Sequence, residues 1–187
     1  EGVIQIMGGA FSNCEELTEI IFPSSLEVIS AKAFYNCTRL SNIVWNSNLK
    51  SIGAYAFYGC AELKELVLPD SITSLGIGTF IDCFGLNSVK LPSDTESLPE
   101  SLFSGNSNLE NVVMGENVKT ISASCFADCF KLKQITIPSS VISIGHYAFK
   151  NCYNLENIDI PERVGEIGEG VFTNCRSLRS ISVSEKN

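Results

Sequence analysis

The chain has 187 residues, 44% of them hydrophobic, and its 21 acidic and 13 basic side chains give a formal net charge of -8 at pH 7. So acidic a composition lacks the basic surface that nucleic acids and anionic membranes require, and we expect neither as a partner. No apolar run approaches the roughly 20 residues of a membrane-spanning helix, so the sequence predicts no insertion into a membrane.

A phenylalanine recurs every 23 residues along the whole chain. Its copies are Phe11, Phe34, Phe57, Phe80, Phe103, Phe126, Phe149 and Phe172. A cysteine follows three residues after each phenylalanine, except where Asn106 replaces it, and a leucine follows three residues later. A fixed period of this length is typical of a solenoid of stacked coils. We therefore predict a single repeat domain over residues 1–187, with about eight coils. Partial repeats at both ends indicate a piece of a longer chain.

Within each copy the pattern predicts a strand, a turn and a second extended segment, in that order. In the third copy Leu66 and Leu68 alternate as the inward residues of a strand. Pro69 ends this strand, because proline cannot donate a hydrogen bond to a neighbouring strand. Ile72 and Leu75 then point inward from the second segment.

The last part of each copy is predicted to be a single helical turn. Ala56, Phe57 and Cys60 lie at positions i, i+1 and i+4, a spacing that gathers them on one face of a helix. Stacking of the copies places equivalent residues in columns. It also sets neighbouring parallel strands about 4.8 Å apart, so eight copies give one sheet roughly 35 Å long. We expect the phenylalanine column to form the core of this stack.

The repeat closely resembles a known family in its strand, proline, glycine and Ala-Phe-x-x-Cys positions. Residues 132–152, LKQITIPSSVISIGHYAFKNC, are similar to the BspA-like, or Treponema pallidum-type, leucine-rich repeat. The resemblance implies an α/β solenoid, a right-handed leucine-rich-repeat horseshoe or superhelix. A parallel sheet would line its concave side, with short second strands and helical turns on the other side.

The same resemblance implies a cell-surface or secreted protein of bacteria or parasitic protozoa. The resemblance also implies adhesion to host, extracellular-matrix or other microbial proteins, and it carries over no catalytic residue and no cofactor. Four residues depart from the family pattern in the fourth and fifth copies, where we expect locally irregular curvature. They are Thr95, Pro99, Leu102 and Asn106.

The chain contains eight cysteines, and seven of them occupy the repeat position beside the core phenylalanine. We interpret these as buried free thiols that pack as small hydrophobic groups. One or two disulfides in an oxidising compartment remain the alternative. Cys125 fills a position usually held by alanine. A metal site is not predicted, because zinc needs about four convergent ligands and a single-file column does not converge.

His146 and the sequence Asn36-Cys37-Thr38 are the other chemical signals. His146 lies at a position that the repeat predicts to be solvated, and no nucleophile can be placed beside it by spacing. Asn36 begins a glycosylation motif that lies within the predicted helical turn, where we expect it to be unused.

The outward residues of the first strand form one candidate binding surface on the concave side. Over the first half of the chain they make an aliphatic strip with a polar border, a pattern typical of interaction sites. The candidate residues are Ile21, Val44, Val67, Lys90 and Val113, bordered by Asn42, Glu65 and Asn111. The alternative is that β-branched residues simply suit exposed strands.

Aromatic residues near the ladder cysteines form a second candidate surface, because aromatic side chains are favoured interface anchors. They are Tyr35, Tyr58, Phe84, Phe130 and Tyr153. Burial of some of them against neighbouring coils is the alternative to a binding role.

These observations favour a non-catalytic module for adhesion or protein recognition. The alternative is a structural spacer or stalk that presents another domain outside this piece. An enzyme would need titratable groups that converge in a cleft, and the sequence shows no such set.

Overall fold

The computed structural model describes residues 2–184. Over this range the chain winds into stacked coils of 23 residues. Their short parallel strands form two rows, called here the first and the second sheet, which are divided into five hydrogen-bonded pieces. The first sheet contains β2 (Glu19–Ile21), β4 (Asn42–Val44), β6 (Glu65–Val67), β8 (Ser88–Lys90), β10 (Asn111–Val113), β13 (Asn157–Ile160) and β15 (Ser180–Val183). The second contains β1 (Gln5–Ile6), β3 (Val28–Ile29), β5 (Ser51–Ile52), β7 (Ser74–Leu75), β9 (Ser97–Leu98), β11 (Thr120–Ile121), β12 (Ser143–Ile144) and β14 (Glu166–Ile167).

Paired residues on neighbouring strands are equivalent positions of adjacent repeats. Glu19 of β2 pairs with Asn42 of β4, for example, and Val28 of β3 pairs with Ser51 of β5. The alternation expected within the first strand is confirmed, since Leu66 is buried while Val67 is 59% exposed. The second extended segment is confirmed as a set of two-residue strands.

The predicted helical turn is wrong, and residues 2–184 contain no helix. Around Phe57 the backbone makes successive tight turns: the Tyr58 N–H donates to the Tyr55 carbonyl at 3.2 Å. The Phe57 N–H instead donates to the Thr79 carbonyl of the next coil at 2.9 Å. Tyr55 and Gly59 have φ values of 56° and 71°, in the left-handed region, which prevents a right-handed helix from propagating.

The sequence carries a signal for these turns at the position two residues after each column phenylalanine. Only asparagine, aspartate and glycine occupy it, and these residues adopt left-handed backbone conformations most readily. They are Asn13, Asn36, Gly59, Asp82, Gly105, Asp128, Asn151 and Asn174, each with positive φ. The i, i+1, i+4 pattern of apolar residues therefore reflects packing in a turn, with the same inward face that a helix would give.

The predicted core column of phenylalanine rings is confirmed. Neighbouring rings stack nearly parallel, with centroids 5.1 to 5.7 Å apart, an offset-stacked geometry favourable for aromatic pairs. The rings from Phe34 to Phe149 are completely buried, whereas Phe11 at the edge of the stack is 38% exposed. The stack rather than any single coil thus creates the core.

Thiols of the cysteine column form hydrogen bonds that link each coil to the one before it. The Cys83 thiol donates to the Phe57 carbonyl at 3.2 Å, and the Cys60 thiol donates to the Phe34 carbonyl at 3.4 Å. All eight cysteines are free thiols in the structure, and six of them are buried. The disulfide alternative is therefore not what the structure shows. The column supplies a donor as well as a small hydrophobic group, a role beyond the one predicted.

Asn106 interrupts the cysteine column. Its Nδ2 atom donates to the carbonyls of Phe80 and Phe103, both at 2.8 Å. Its Oδ1 atom is buried and has no hydrogen-bond partner. An unsatisfied buried acceptor destabilises the folded state by about 1–3 kcal/mol.

We expect Asn106→Cys to raise the free energy of unfolding by about 1–2 kcal/mol, measured by urea denaturation. The thiol would still donate to Phe80, as Cys83 does to Phe57, and the unsatisfied oxygen would be gone. Asn106→Ala serves as the comparison, because it removes the oxygen and the donor together. Equal or lower stability of the cysteine variant than of the natural chain would contradict the role assigned to this column.

The second sheet is interrupted between β7 and β9. In the preceding coil the Gly76 N–H donates to the Ile52 carbonyl at 2.8 Å. The equivalent residue one coil later is Pro99, which has no N–H to donate. No backbone hydrogen bond joins β7 to β9 in the described part of the chain. The copies marked by Thr95 and Pro99 therefore differ from their neighbours in backbone hydrogen bonding.

The first sheet is also divided, so the prediction of one unbroken sheet is wrong. Its pieces within residues 2–184 are β2–β4, β6–β8–β10 and β13–β15. Between β4 and β6 the indole of Trp45 occupies a column that Leu68 holds in the next coil. It packs against the rings of Phe22 and Phe57, with centroids 5.5 and 5.7 Å away. The Trp45 indole therefore fills the core at the level where β4 and β6 do not pair.

Candidate functional site

The aliphatic strip predicted on the first sheet is exposed. The exposed fractions are 66% for Ile21, 43% for Val44, 59% for Val67 and 55% for Val113. Ile21 lies beside Val44, and Lys90 lies between Val67 and Val113. Alternation of side chains along each strand produces this arrangement, because the residues before and after point into the core. The strip therefore has two segments, one on each side of the division at Trp45.

Polar side chains border the strip as predicted. Asn42, Glu65 and Asn111 are all exposed, and the Asn42 amide donates to the Glu19 carboxylate on the neighbouring strand. In the last coils the strip position itself becomes polar, where Ser182 donates to Asp159. Only the first half of this face thus combines exposed aliphatic groups with a polar border.

Two grooves lie where the first sheet is divided. The groove at Trp45 has a volume of about 470 Å³ and brings together the candidate residues Asn42, Glu65 and Val67. The groove beyond β10 has a volume of about 340 Å³ and includes Asn111 and Val113. The sequence analysis missed the part that Trp45 plays in this surface. The signal that could have revealed it is the single tryptophan in a column otherwise held mostly by aliphatic residues.

The alternative aromatic surface is not continuous. Tyr35 stacks on Tyr58 at 4.7 Å, and Phe130 stacks on Tyr153 at 4.8 Å, but these two pairs lie on coils far apart in the stack. Phe84 is 48% exposed and stacks on no other ring among the described residues. A hydrogen bond to Asp82 raises the pKa of Tyr58 above its usual value. The structure therefore provides two separate aromatic pairs rather than one platform.

His146 and the side chains that could bind a metal ion are the remaining chemical candidates. His146 is exposed, and its Nδ1 atom accepts a hydrogen bond from the Glu169 N–H at 2.8 Å. Within residues 2–184, no three His, Cys, Asp or Glu side chains form a group that could hold a metal ion. The same range contains no helix long and apolar enough to cross a membrane.

Comparison with known proteins agrees with this geometry. The family model described as BspA type leucine rich repeat region matches residues 1–110 and 96–187, in 6 copies. No curated protein is significantly similar in sequence.

Several solved structures share the fold, including a leucine-rich repeat protein from Bacteroides ovatus, with 29% identity and a TM-score of 0.70. The leucine-rich repeat protein of T. pallidum has 28% identity and a TM-score of 0.74. The pneumococcal vaccine antigen PcpA has 26% identity and a TM-score of 0.61. These alignments cover 97%, 95% and 91% of this chain, but 59%, 72% and 52% of the other chains.

Proposed function

The chain belongs to the BspA-type leucine-rich-repeat family, and on this premise we propose that it recognises a protein partner through the aliphatic strip of the first sheet. Leucine-rich repeats are in general protein-interaction scaffolds rather than enzymes. The proposal adds a cell-surface or secreted location and a host, matrix or microbial protein as the partner. The likeness to a pneumococcal vaccine antigen supports the exposed location.

The observation that carries this proposal is the contrast between the two halves of one exposed column. Val44 and Val67 hold the strip position on β4 and β6 in the first half, whereas Asp159 and Ser182 hold it on β13 and β15 in the second. Strand formation therefore does not by itself require an aliphatic residue at this position. Exposed apolar side chains with a polar border are what a partner can desolvate at low cost.

The polar border would give the partner its orientation. Lys90 and Glu65 are exposed and of opposite charge, and they lie on the paired strands β8 and β6. Rim charges of this kind affect association rate and selectivity more than affinity. We expect a partner surface with its own apolar centre and mixed charges around it. A purely structural spacer would need no such contrast between the halves of the stack.

The double substitution Val44→Asp plus Val67→Asp tests the proposal. We expect it to weaken binding to extracellular-matrix proteins by at least about tenfold, because two carboxylates would have to be desolvated in the interface. The measurement is the binding of purified matrix proteins to the immobilised chain. Circular dichroism would verify that the fold is retained, since both side chains point away from the core.

The matched control is Ile77→Asp plus Ile142→Asp. These two residues are 46% and 44% exposed but lie away from the strip, and the pair adds the same charge. We expect this control to bind like the natural chain. Unchanged affinity of the strip variant, or equal loss in both variants, would contradict the assignment of the strip. Absence of binding by the natural chain would favour the spacer.

A further inference from the structure

The groove beyond β10 adjoins a second groove of similar size. The first has a volume of about 340 Å³ and the second of about 350 Å³, and both are lined by Glu110, Asn111 and Gln134. Each volume lies within the range of roughly 300–1,000 Å³ that is common for ligand sites. We call the two together the β10 groove.

Outward side chains of three successive coils line this groove in two columns. Asn111, Gln134 and Asn157 form one column, and Val113, Thr136 and Asp159 form the other. All six are exposed, and only Val113 lacks a hydrogen-bonding group. Neighbouring coils lie about 4.8 Å apart, so the outer members of each column are roughly 10 Å apart. The β10 groove is therefore a row of polar groups with one apolar contact.

Several of these side chains have no partner within the protein. Among the described residues, the side chains of Asn111, Gln134 and Thr136 make no hydrogen bond. In the outer coil, the Ser180 hydroxyl donates to Asn157 Oδ1 at 2.6 Å, which leaves the Asn157 Nδ2 atom free to donate. An amide offers donors and an acceptor, and a hydroxyl offers both functions. The groove can therefore donate and accept hydrogen bonds at neighbouring points.

The backbone at the centre of the groove is also unpaired. One coil earlier, the Asn111 N–H donates to the Asn87 carbonyl at 3.0 Å, and the Val113 carbonyl accepts from the Leu91 N–H at 2.9 Å. In the part of the chain that the structure describes, residues 134–137 make no backbone hydrogen bond at all. The equivalent groups, the Gln134 N–H and the Thr136 carbonyl, are thus available to a ligand.

We propose that the β10 groove binds a neutral oligosaccharide. Sugar hydroxyls would donate to the side-chain oxygens of Asn111 and Gln134 and accept from their amide NH₂ groups, because a hydroxyl has both functions. Val113, which is 55% exposed, would contact the C–H face of one ring. The site shares Asn111 and Val113 with the end of the strip, but it does not rest on the proposed recognition of a protein.

Two observations favour a sugar over a peptide. The coils at the groove are joined directly, since the Lys131 N–H donates to the Ser107 carbonyl at 3.2 Å, and no additional strand fits between them. Peptide recognition on a sheet also needs pockets for alternate side chains. Ile135, which lies between the two outward residues of the middle coil, is only 8% exposed and points into the core, so the middle coil offers no such pocket.

The charges beside the groove favour a neutral sugar over an acidic one. Lys131 lies 3.9 Å from Glu110, and Lys133 lies 3.5 Å from Glu156, so these charges balance in pairs. Asp159 is exposed and adds one negative charge. A sugar that carries carboxylates would therefore be repelled.

The double substitution Gln134→Ala plus Thr136→Ala tests the site, because it removes both free side chains of the middle coil. Both residues are exposed, so we expect the fold to be retained. The matched control is Gln5→Ala plus Thr73→Ala. It removes the same two residue types, which are also exposed, from the side of the second sheet.

The probes are fluorescently labelled neutral oligosaccharides of about three to five units, built from glucose, galactose, mannose or N-acetylglucosamine, and binding is measured by fluorescence anisotropy. We expect at least one of them to bind with a dissociation constant below about 1 mM. The groove variant should weaken this binding by at least about tenfold, and the control should change it less than about twofold. An oligosaccharide of uronic acids of the same length should bind at least about tenfold more weakly.

Nuclear magnetic resonance of the isotope-labelled natural chain gives a second readout that does not depend on the variants. The bound sugar should shift the amide resonances of Gln134 and Thr136 and leave that of Ile21 unchanged. The Val44→Asp plus Val67→Asp variant should bind the sugar normally, so the two proposals can fail separately.

Four results would each overturn the proposal. They are the absence of binding by every neutral sugar, undiminished binding by the groove variant, tighter binding of the acidic sugar, and displacement of the sugar by an equal concentration of a blocked, uncharged peptide. The last result would assign the groove to a protein partner instead.

Discussion

Replacing Phe57 with alanine is expected to lower the free energy of unfolding by about 3–5 kcal/mol. The ring is completely buried, and it stacks between Phe34 and Phe80 with centroids 5.1 and 5.5 Å away. It also meets the edge of Trp45 at 5.7 Å. The substitution would therefore leave a cavity bordered by aromatic rings on three sides. Denaturation by guanidinium chloride, followed by the fluorescence of the single tryptophan, measures the change.

Phe11→Ala is the matched control for this experiment. Phe11 belongs to the same column, but its ring is 38% exposed and stacks on a single neighbour, Phe34, at 5.2 Å. We expect its removal to cost about 1–2 kcal/mol, because less apolar surface returns to water. Equal costs for the two substitutions would mean that the column is not the continuous core described above.

The second large effect is expected at alkaline pH, where the fold should lose stability steeply. Burial raises the pKa of the Cys37 thiol to about 11 and that of Cys83 to about 12. Burial also raises the pKa of Cys60, Cys125 and Cys129. In the unfolded chain these thiols ionise near pH 8.5, so below that pH both states hold the protons and stability is unaffected.

Above pH 8.5 the unfolded state releases thiol protons that the folded state retains, which favours unfolding. Each buried thiol then lowers the free energy of unfolding by up to about 1.4 kcal/mol per pH unit. The six buried cysteines together would remove up to about 8 kcal/mol per unit, so we expect unfolding between about pH 9.5 and 11.

Denaturant titrations at a series of pH values, in the presence of a reducing agent, would measure this slope. Cys83→Ala should make the slope shallower by up to about 1.4 kcal/mol per pH unit, because one titrating thiol is removed. Stability that stays constant from pH 8 to about pH 10.5 would show that the thiols are not retained as buried, protonated groups.

The sequence predicted the residues of the core more reliably than the backbone that carries them. Phe57 and Cys60 were expected to share an inward face, and both are buried. The helix inferred from the same spacing is absent from residues 2–184, because a left-handed residue such as Gly59 recurs in every copy. Apolar spacing alone does not distinguish a helical turn from tight turns that point the same side chains inward.

The candidate binding surface was likewise predictable from the sequence only in part. Val44 and Val67 could be assigned to an exposed face from the alternation of one strand, since that alternation is a local property. The grooves beside them could not, because they depend on whether two neighbouring strands approach closely enough to hydrogen bond. Pro99 was visible in the sequence as an unusual residue, but its missing N–H affects pairing with the preceding coil, which a single repeat does not reveal.

The amino-acid sequence by itself determined the 23-residue coil and the columns of like side chains, because every copy must bury the same groups against its neighbours. The tertiary structure decided where the hydrogen bonds between coils stop. A backbone hydrogen bond between coils needs a donor and an acceptor that lie 23 or so residues apart in the chain. Whether they meet depends on the packing of the whole stack, which no single repeat encodes.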